Sequence, residues 1–121
     1  MFHALCECCA TSMIGTASPD RTERAWRQAY RAVGHHKAKA ACRNADDPNF
    51  GFPSGIREFA RTFVDLQESR EDADYDPKAV FRRPDVLAEI AKAQLAISAL
   101  GTCNGREKSA FAALVLFKLR P

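Results

Sequence analysis

An all-α bundle is the fold class predicted for this chain of 121 residues, and three features of the sequence predict it. Apolar residues recur at spacings of three and four in five separate segments, short breaks rich in Gly, Pro and Asn divide those segments, and no alternating strand pattern of any length occurs. Amphipathic helices joined by short loops can bury their apolar faces only by packing on one another. The length suits one domain, residues 1–121, with one modest core. A content of 46% hydrophobic and 27% charged residues is that of a globular chain.

The first helix is predicted over residues 2–14, where Phe2, Leu5, Cys6, Cys9 and Met13 fall on one face. Residues 15–18 break it, and Ser18-Pro19-Asp20 reads as the start of the next, with an N-cap hydroxyl, a proline at the first position and an acid near the dipole. This second helix is predicted over about residues 19–42, with an apolar stripe of Ala25, Trp26, Ala29, Tyr30, Val33 and Ala40 and a weak point at Gly34. Residues 44–54 carry two prolines and a glycine and read as a loop whose Phe50 and Phe52 tuck onto the bundle. A third helix begins near Ser54, with Ile56, Phe59, Phe63, Leu66 and Arg70 on one line. Residues 72–83 form a connector with an exposed acidic run. The fourth helix, residues 84–100, is expected to bury Val86, Leu87, Ile90, Ile97 and Leu100, with Gly101 in the left-handed position past its end. Asn104-Gly105 marks a turn, and a last helix over about residues 106–119 offers Phe111, Leu114, Val115 and Lys118 or Leu119.

No uninterrupted apolar run approaches the roughly 18 residues that cross a bilayer, and the apolar start has no basic n-region and is interrupted by Glu7. A cytoplasmic protein without membrane contact is the expectation. Five cysteines, three of them crowded at Cys6, Cys8 and Cys9, do not form a disulfide framework and read as reduced thiols. The net charge of +3 is mild, but its distribution is polarised. Residues 21–43 hold seven Lys or Arg against one acid, and residues 65–76 hold six acids against one base.

Three constellations could carry chemistry. Arg27, Arg31 and His35 recur every four residues, and Arg24 extends the row, so in an unbroken helix they share a face. Cleavage of an RNA phosphodiester uses this pairing of groups: arginine forks phosphate oxygens and stabilises the pentavalent charge, while histidine moves protons at the 2′-hydroxyl and the leaving oxygen. The same composition also describes a solvated helix surface. His35 lies about 40° around the helix from Arg31 and His36 about 140°, which prefers His35 unless Gly34 breaks the helix.

The second constellation is Arg70 with the acids after it. Arg70 continues an apolar face and is expected to reach inward toward a carboxylate or phosphate. The acidic run lacks the alternating ligands and glycine turn of a hard-cation loop, and reads as a solvated tail. Tyr75 is a core anchor candidate. The third is the thiol cluster with His3. Adjacent Cys8 and Cys9 cannot converge on one ion from one helix, so packing as small hydrophobes is the simpler account and no metal is assigned. No phosphate-cradling glycine loop or nucleophile elbow occurs, and no cofactor is expected.

Phe-His-Ala-Leu at positions 2 to 5, Ala-Tyr-Arg-Ala-Val-Gly-His-His at 29 to 36, and Leu-Gln-Glu-Ser-Arg at 66 to 70 followed by Ala-Asp-Tyr-Asp at 73 to 76 stand in the order found in HEPN-domain proteins. The chain resembles that family over roughly residues 2–80. The resemblance implies a bundle of four to five helices, up and down, often a homodimer. In many members it is a metal-independent endoribonuclease, commonly a toxin paired with a nucleotidyltransferase antitoxin. It implies Arg31 at the phosphate and His35 or His36 as the acid–base group, Arg24 and Arg27 on the RNA backbone, and Arg70, Asp74 and Tyr75 in support. The family motif separates its arginine from its histidine by four to six intervening residues, often with a polar residue directly after the arginine. His36 satisfies that spacing, His35 falls one short, and Ala32 is not polar. The family also carries a helix before Phe-His-Ala-Leu, so the resemblance implies a domain without its first helix and with an apolar face to cover. A ribonuclease and a non-catalytic module that binds a nucleotidyltransferase or nucleic acid are the two functional expectations.

Overall fold

The computed structural model describes residues 1–75 and 83–118, and the side chains of all of these except 73–75, 83 and 84. Among the described residues six helices form: α1 Phe2–Ile14, α2 Glu23–Arg31, α3 His35–Asp46, α4 Ser54–Tyr75, α5 Arg83–Thr102 and α6 Gly105–Leu116. A 3₁₀ turn, Pro48–Phe50, lies between α3 and α4. No strand occurs among the described residues. The helices form a bundle in which α1 packs on α2 and α6, α3 on α4 and α6, and α4 on α5.

The core is filled from few large and many small side chains. Phe59, Phe111, Leu5 and Ile56 are fully buried, and Cys6, Cys9, Ala10, Ala38, Cys42 and Ala45 close the space around them. Phe59 meets Phe111 edge-on at 6.1 Å and stacks on Phe63 at 6.2 Å, and Phe52 meets Phe111 edge-on at 6.0 Å. These separations lie in the range where ring edges face ring clouds favourably. Each fully buried side chain of this size contributes about 1.5–3 kcal/mol relative to leaving it in water.

The first helix keeps its expected bounds, although Met13 is exposed. The second expected helix is two. Gly34 adopts φ −94° and ψ 146°, an extended conformation that ends the run after Arg31 and makes Gly34 the N-cap of α3. The weak helix propensity of glycine permits the break, and the turn buries Val33. The expected start at Ser18 and Pro19 is also corrected, because α2 begins at Glu23 with Thr22 as its N-cap. Ahead of it Arg21 folds back, with its guanidinium 4.9 Å from the centre of the Trp26 ring, a hydrogen bond to Glu23 and another to the Gly15 carbonyl. Those contacts hold residues 18–21 in a turn closed by Arg21 N donating to Ser18 O.

Other expectations shift with the packing. Ala40 is exposed, because α3 turns Ala38, Ala41, Cys42 and Ala45 inward. Phe52 packs on the core while Phe50 stays in solvent. Residues 72–75 extend α4 rather than opening a connector, and the rest of that expected acidic connector, residues 76–82, lies outside the described residues. Gly101 lies inside α5, which runs on to Thr102, so it is no left-handed cap. Asn104 instead caps α6, its Oδ1 accepting from Glu107 N at 2.9 Å. Lys118 is exposed, and Leu119 lies outside the described residues.

The fourth expected helix departs most in burial. Val86, Leu87, Ile90 and Ile97 are 40, 56, 48 and 37% exposed, whereas only Ala96 and Leu100 of α5 are buried. The reason is that, among the described residues, α5 packs chiefly on α4, and Val86 and Ile90 line an open groove instead of the core. No single helix among the described residues is long and apolar enough to cross a membrane. The α5–α6 pair passes that test only jointly, across a 117° bend.

The α4–α5 contact is tight at Gly55. A Cβ there would stand 2.7 Å from the Ala99 carbonyl oxygen and 2.7 Å from Cys103 Sγ. Because the carbonyl belongs to helical backbone, it cannot move aside. Gly55→Ala is therefore expected to lower stability by roughly 1–3 kcal/mol, the usual cost of overpacking, as a reduced urea midpoint with little change in m-value.

Candidate functional site

An open groove of about 1420 Å³ runs between the start of α1, the outer side of α3, the second half of α4 and the first half of α5. Met1, Phe2 and His3 form one end. His35, His36, Lys39 and Arg43 descend one wall along α3, and Val86, Glu89, Ile90 and Ala93 form the α5 wall. Phe63, Leu66 and Gln67 lie between them, with Ser69, Arg70 and Glu71 on the same helix. The break at Gly34 makes this arrangement possible, because it releases His35 and His36 from the line of α2 and sets them in the first turn of α3.

Neighbours fix the histidines differently. The His35 ring lies nearly parallel to Phe2, with ring centres 3.8 Å apart and planes 14° apart. His3 Nδ1 and the Tyr30 hydroxyl share a hydrogen bond of 2.7 Å. Burial, followed by the nearby Cys6 and Glu7, pushes the Tyr30 phenol above its ordinary pKa. A phenol that donates to Nδ1 leaves the exchangeable proton on Nε2. His36 is exposed in the same turn.

The cations of the groove are partly matched by acids. Lys39 Nζ lies 3.0 Å from Glu71 Oε2 and 3.8 Å from Glu68 Oε1, and Arg43 donates to Glu68 Oε1 at 2.6 Å. The Arg43 hydrogen bond, with Lys39 beside it, holds the Glu68 carboxyl below its ordinary range against a smaller opposing effect of burial. Arg70 lines the groove but is exposed, which corrects its expected inward reach: a long apolar stem keeps its guanidinium in water. Ser69 Oγ donates to Glu89 at 3.0 Å and ties α4 to α5. The Gln67 side-chain oxygen is buried in the groove without a donor among the described residues.

The sequence-derived site is divided by this geometry. His35, His36 and Arg70 share the groove. Arg31 ends α2, exposed and without a side-chain bond among the described residues, and it does not line the groove. Arg24 and Arg27 are exposed on α2, and Arg27 Nε makes a long bond of 3.5 Å to Glu23 O. The expected row of Arg27, Arg31 and His35 on one helix face therefore does not form, because the helix ends between Arg31 and His35. The side chains of Asp74 and Tyr75 lie outside the described residues. His3, Lys39, Arg43 and Gln67 belong to the groove and were missed as site residues. The spacing of His36, Lys39 and Arg43 at three and four was the available signal.

The thiols sit apart from the groove. Cys6, Cys9 and Cys42 are buried in the core, where desolvation pushes Cys42 up to about 12 and raises Cys6 and Cys9 as well. Among the described residues no three His, Cys, Asp or Glu side chains gather as a metal site. No protein-family model, no curated protein and no solved structure matches this chain.

Two measurements check the site. In Arg43→Ala the Glu68 carboxyl is expected to titrate closer to its ordinary range by NMR. Because its folded value is depressed, its small contribution to stability is present above the unfolded carboxylate pKa and fades as pH falls through the folded one. That acid-side fading should shrink in the variant. Alkylation of the native protein near pH 8 should modify Cys103 and Cys8, which are half-buried, while Cys6, Cys9 and Cys42 react only after unfolding. Peptide mass mapping reads the order.

Proposed function

We propose that this chain is a HEPN-like protein that handles RNA in the α1–α3–α4–α5 groove, with metal-independent cleavage of phosphodiesters as its activity. The observation that carries the reading is that all three histidines of the chain line one open groove together with Lys39, Arg43 and Arg70. Proton-transfer groups beside guanidinium groups suit the chemistry that 2′-hydroxyl attack requires. In this reading His35 or His36 moves the proton and Arg70 stabilises the phosphate. Arg31, Arg27 and Arg24 on the neighbouring α2 hold the backbone of a strand that leaves the groove.

A second reading is favoured by the pairing of Lys39 and Arg43 with Glu71 and Glu68 and by the position of Arg31 outside the groove. Under it the groove binds RNA, or a nucleotidyltransferase partner, without cutting. Labelled structured and single-stranded RNA incubated with the protein in EDTA separates the two. The expected outcome is cleavage that persists in EDTA and falls about 10²–10⁴-fold in Arg70→Ala and in one of His35→Ala and His36→Ala, as the loss of a general acid–base group does. A smaller loss is expected in Arg31→Ala. RNA bound but intact with the folded protein would select the second reading, and neither binding nor cleavage would refute RNA as the ligand in both readings, leaving the nucleotidyltransferase partner to be tested by co-purification.

A further inference from the structure

We infer that the stacked pair of Phe2 and His35 is a platform for one unpaired nucleobase, with His35 the ring on which the base lies. The inference deepens the reading of RNA as the ligand of the groove and rests on it, whether the strand is cut or only held. The two rings lie 3.8 Å apart and 14° from parallel, so Phe2 covers one face of the imidazole. His35 is exposed nonetheless, and that exposure belongs to its other face and its edge. An aromatic face left open at one end of a groove is a surface that a splayed base covers by stacking.

The platform is assembled before a ligand arrives. Phe2 is half-buried and packs against the core. His3 meets Phe2 edge-on with ring centres 6.4 Å apart, and its Nδ1 shares the hydrogen bond with the Tyr30 hydroxyl of α2. Gly34 sets His35 at the first residue of α3. Three helices therefore hold the stack, and a base that lands on it orders little of the chain, which lowers the cost of binding. The surroundings suit a nucleic acid better than another flat ring. His35, His36 and Lys37 open α3 and its first turn carries no acid, so the phosphates on either side of a stacked base meet no carboxylate there. Lys39 and Arg43 continue along the same wall of the groove. A base inside a duplex is covered on both faces, so the platform takes a single strand or an unpaired loop. His36 follows in the same turn, about 100° around the helix, exposed. With His35 engaged through its face, His36 is the histidine left for proton transfer.

Short single-stranded RNAs with 2-aminopurine at one position each, and 2′-O-methyl sugars that resist cleavage, test the platform on the full chain. The fluorescence of 2-aminopurine falls when the base stacks on an aromatic ring. The unchanged protein is expected to bind these strands and to quench one position most. His35→Ala should lose that quench and weaken binding about 5- to 150-fold, the worth of one base–aromatic stack. His35→Phe, which keeps a flat ring and has no ionisable group, should restore both. His36→Ala removes an exposed neighbour from the same turn and should keep the quench. Circular dichroism verifies that each variant is helical. Binding without a quench at any position overturns the inference and leaves the RNA reading standing. So does a loss in His35→Phe equal to that in His35→Ala, or a quench that His36→Ala removes equally. A folded protein that binds none of the strands refutes the RNA reading itself and this inference with it.

Discussion

The edge-on contact of Phe59 with Phe111 is the constraint from which the remaining packing follows. It joins α4 to α6 at the centre of the bundle, with both rings fully buried. Two large rings at one level leave little room beside them, so α1 and α3 meet them with alanines and cysteines. Cys6, Cys9, Ala38, Cys42 and Ala45 are all buried, and every one is small. The thiols have a structural explanation in this arrangement: they fill volume that a longer side chain would overfill. Desolvation then raises their pKa values and keeps them protonated.

A core centred there leaves the second half of α4 and the first half of α5 beyond its reach. Burial falls along α4 from Phe59 and Phe63 to the half-buried Leu66 and then the exposed Arg70. The groove occupies the space so opened, and the chain places its histidines, several cations and an unpaired amide oxygen around it. Val86, Ile90 and Ala93 form the α5 wall of that groove, and Val86 and Ile90 stay exposed there.

The break at Gly34 shows how a local feature redirects a site. In an uninterrupted helix, Arg27, Arg31 and His35 would form a single row of charge. Breaking the helix leaves the arginines on α2 and carries the histidines to α3, where His35 stacks on Phe2 from the other end of the neighbourhood. The glycine was visible as a weak point. The partner that receives the histidine was not, because Phe2 and His35 are distant in the chain and nothing local ties them together.

Periodicity in the sequence determined the helical class, the bounds of α1, the start of α4 and most of the aromatic core, because a three-and-four spacing of Leu5, Cys9, Phe59 and Phe63 has only one way to be buried. It also marked the cationic α2–α3 region and its histidines as chemically distinctive. Only the tertiary structure decided which apolar faces find a partner. Val86, Ile90 and Ile97 have the same periodic signature as Ile56 and Phe59, yet they are exposed, because among the described residues α5 packs chiefly on α4 through Ala96 and Leu100. Likewise it decided that His3, His35, His36, Arg43 and Arg70 share a groove while Arg31 does not. Spacing reports a residue's direction from its own helix axis, whereas burial and convergence depend on what another helix brings to that side.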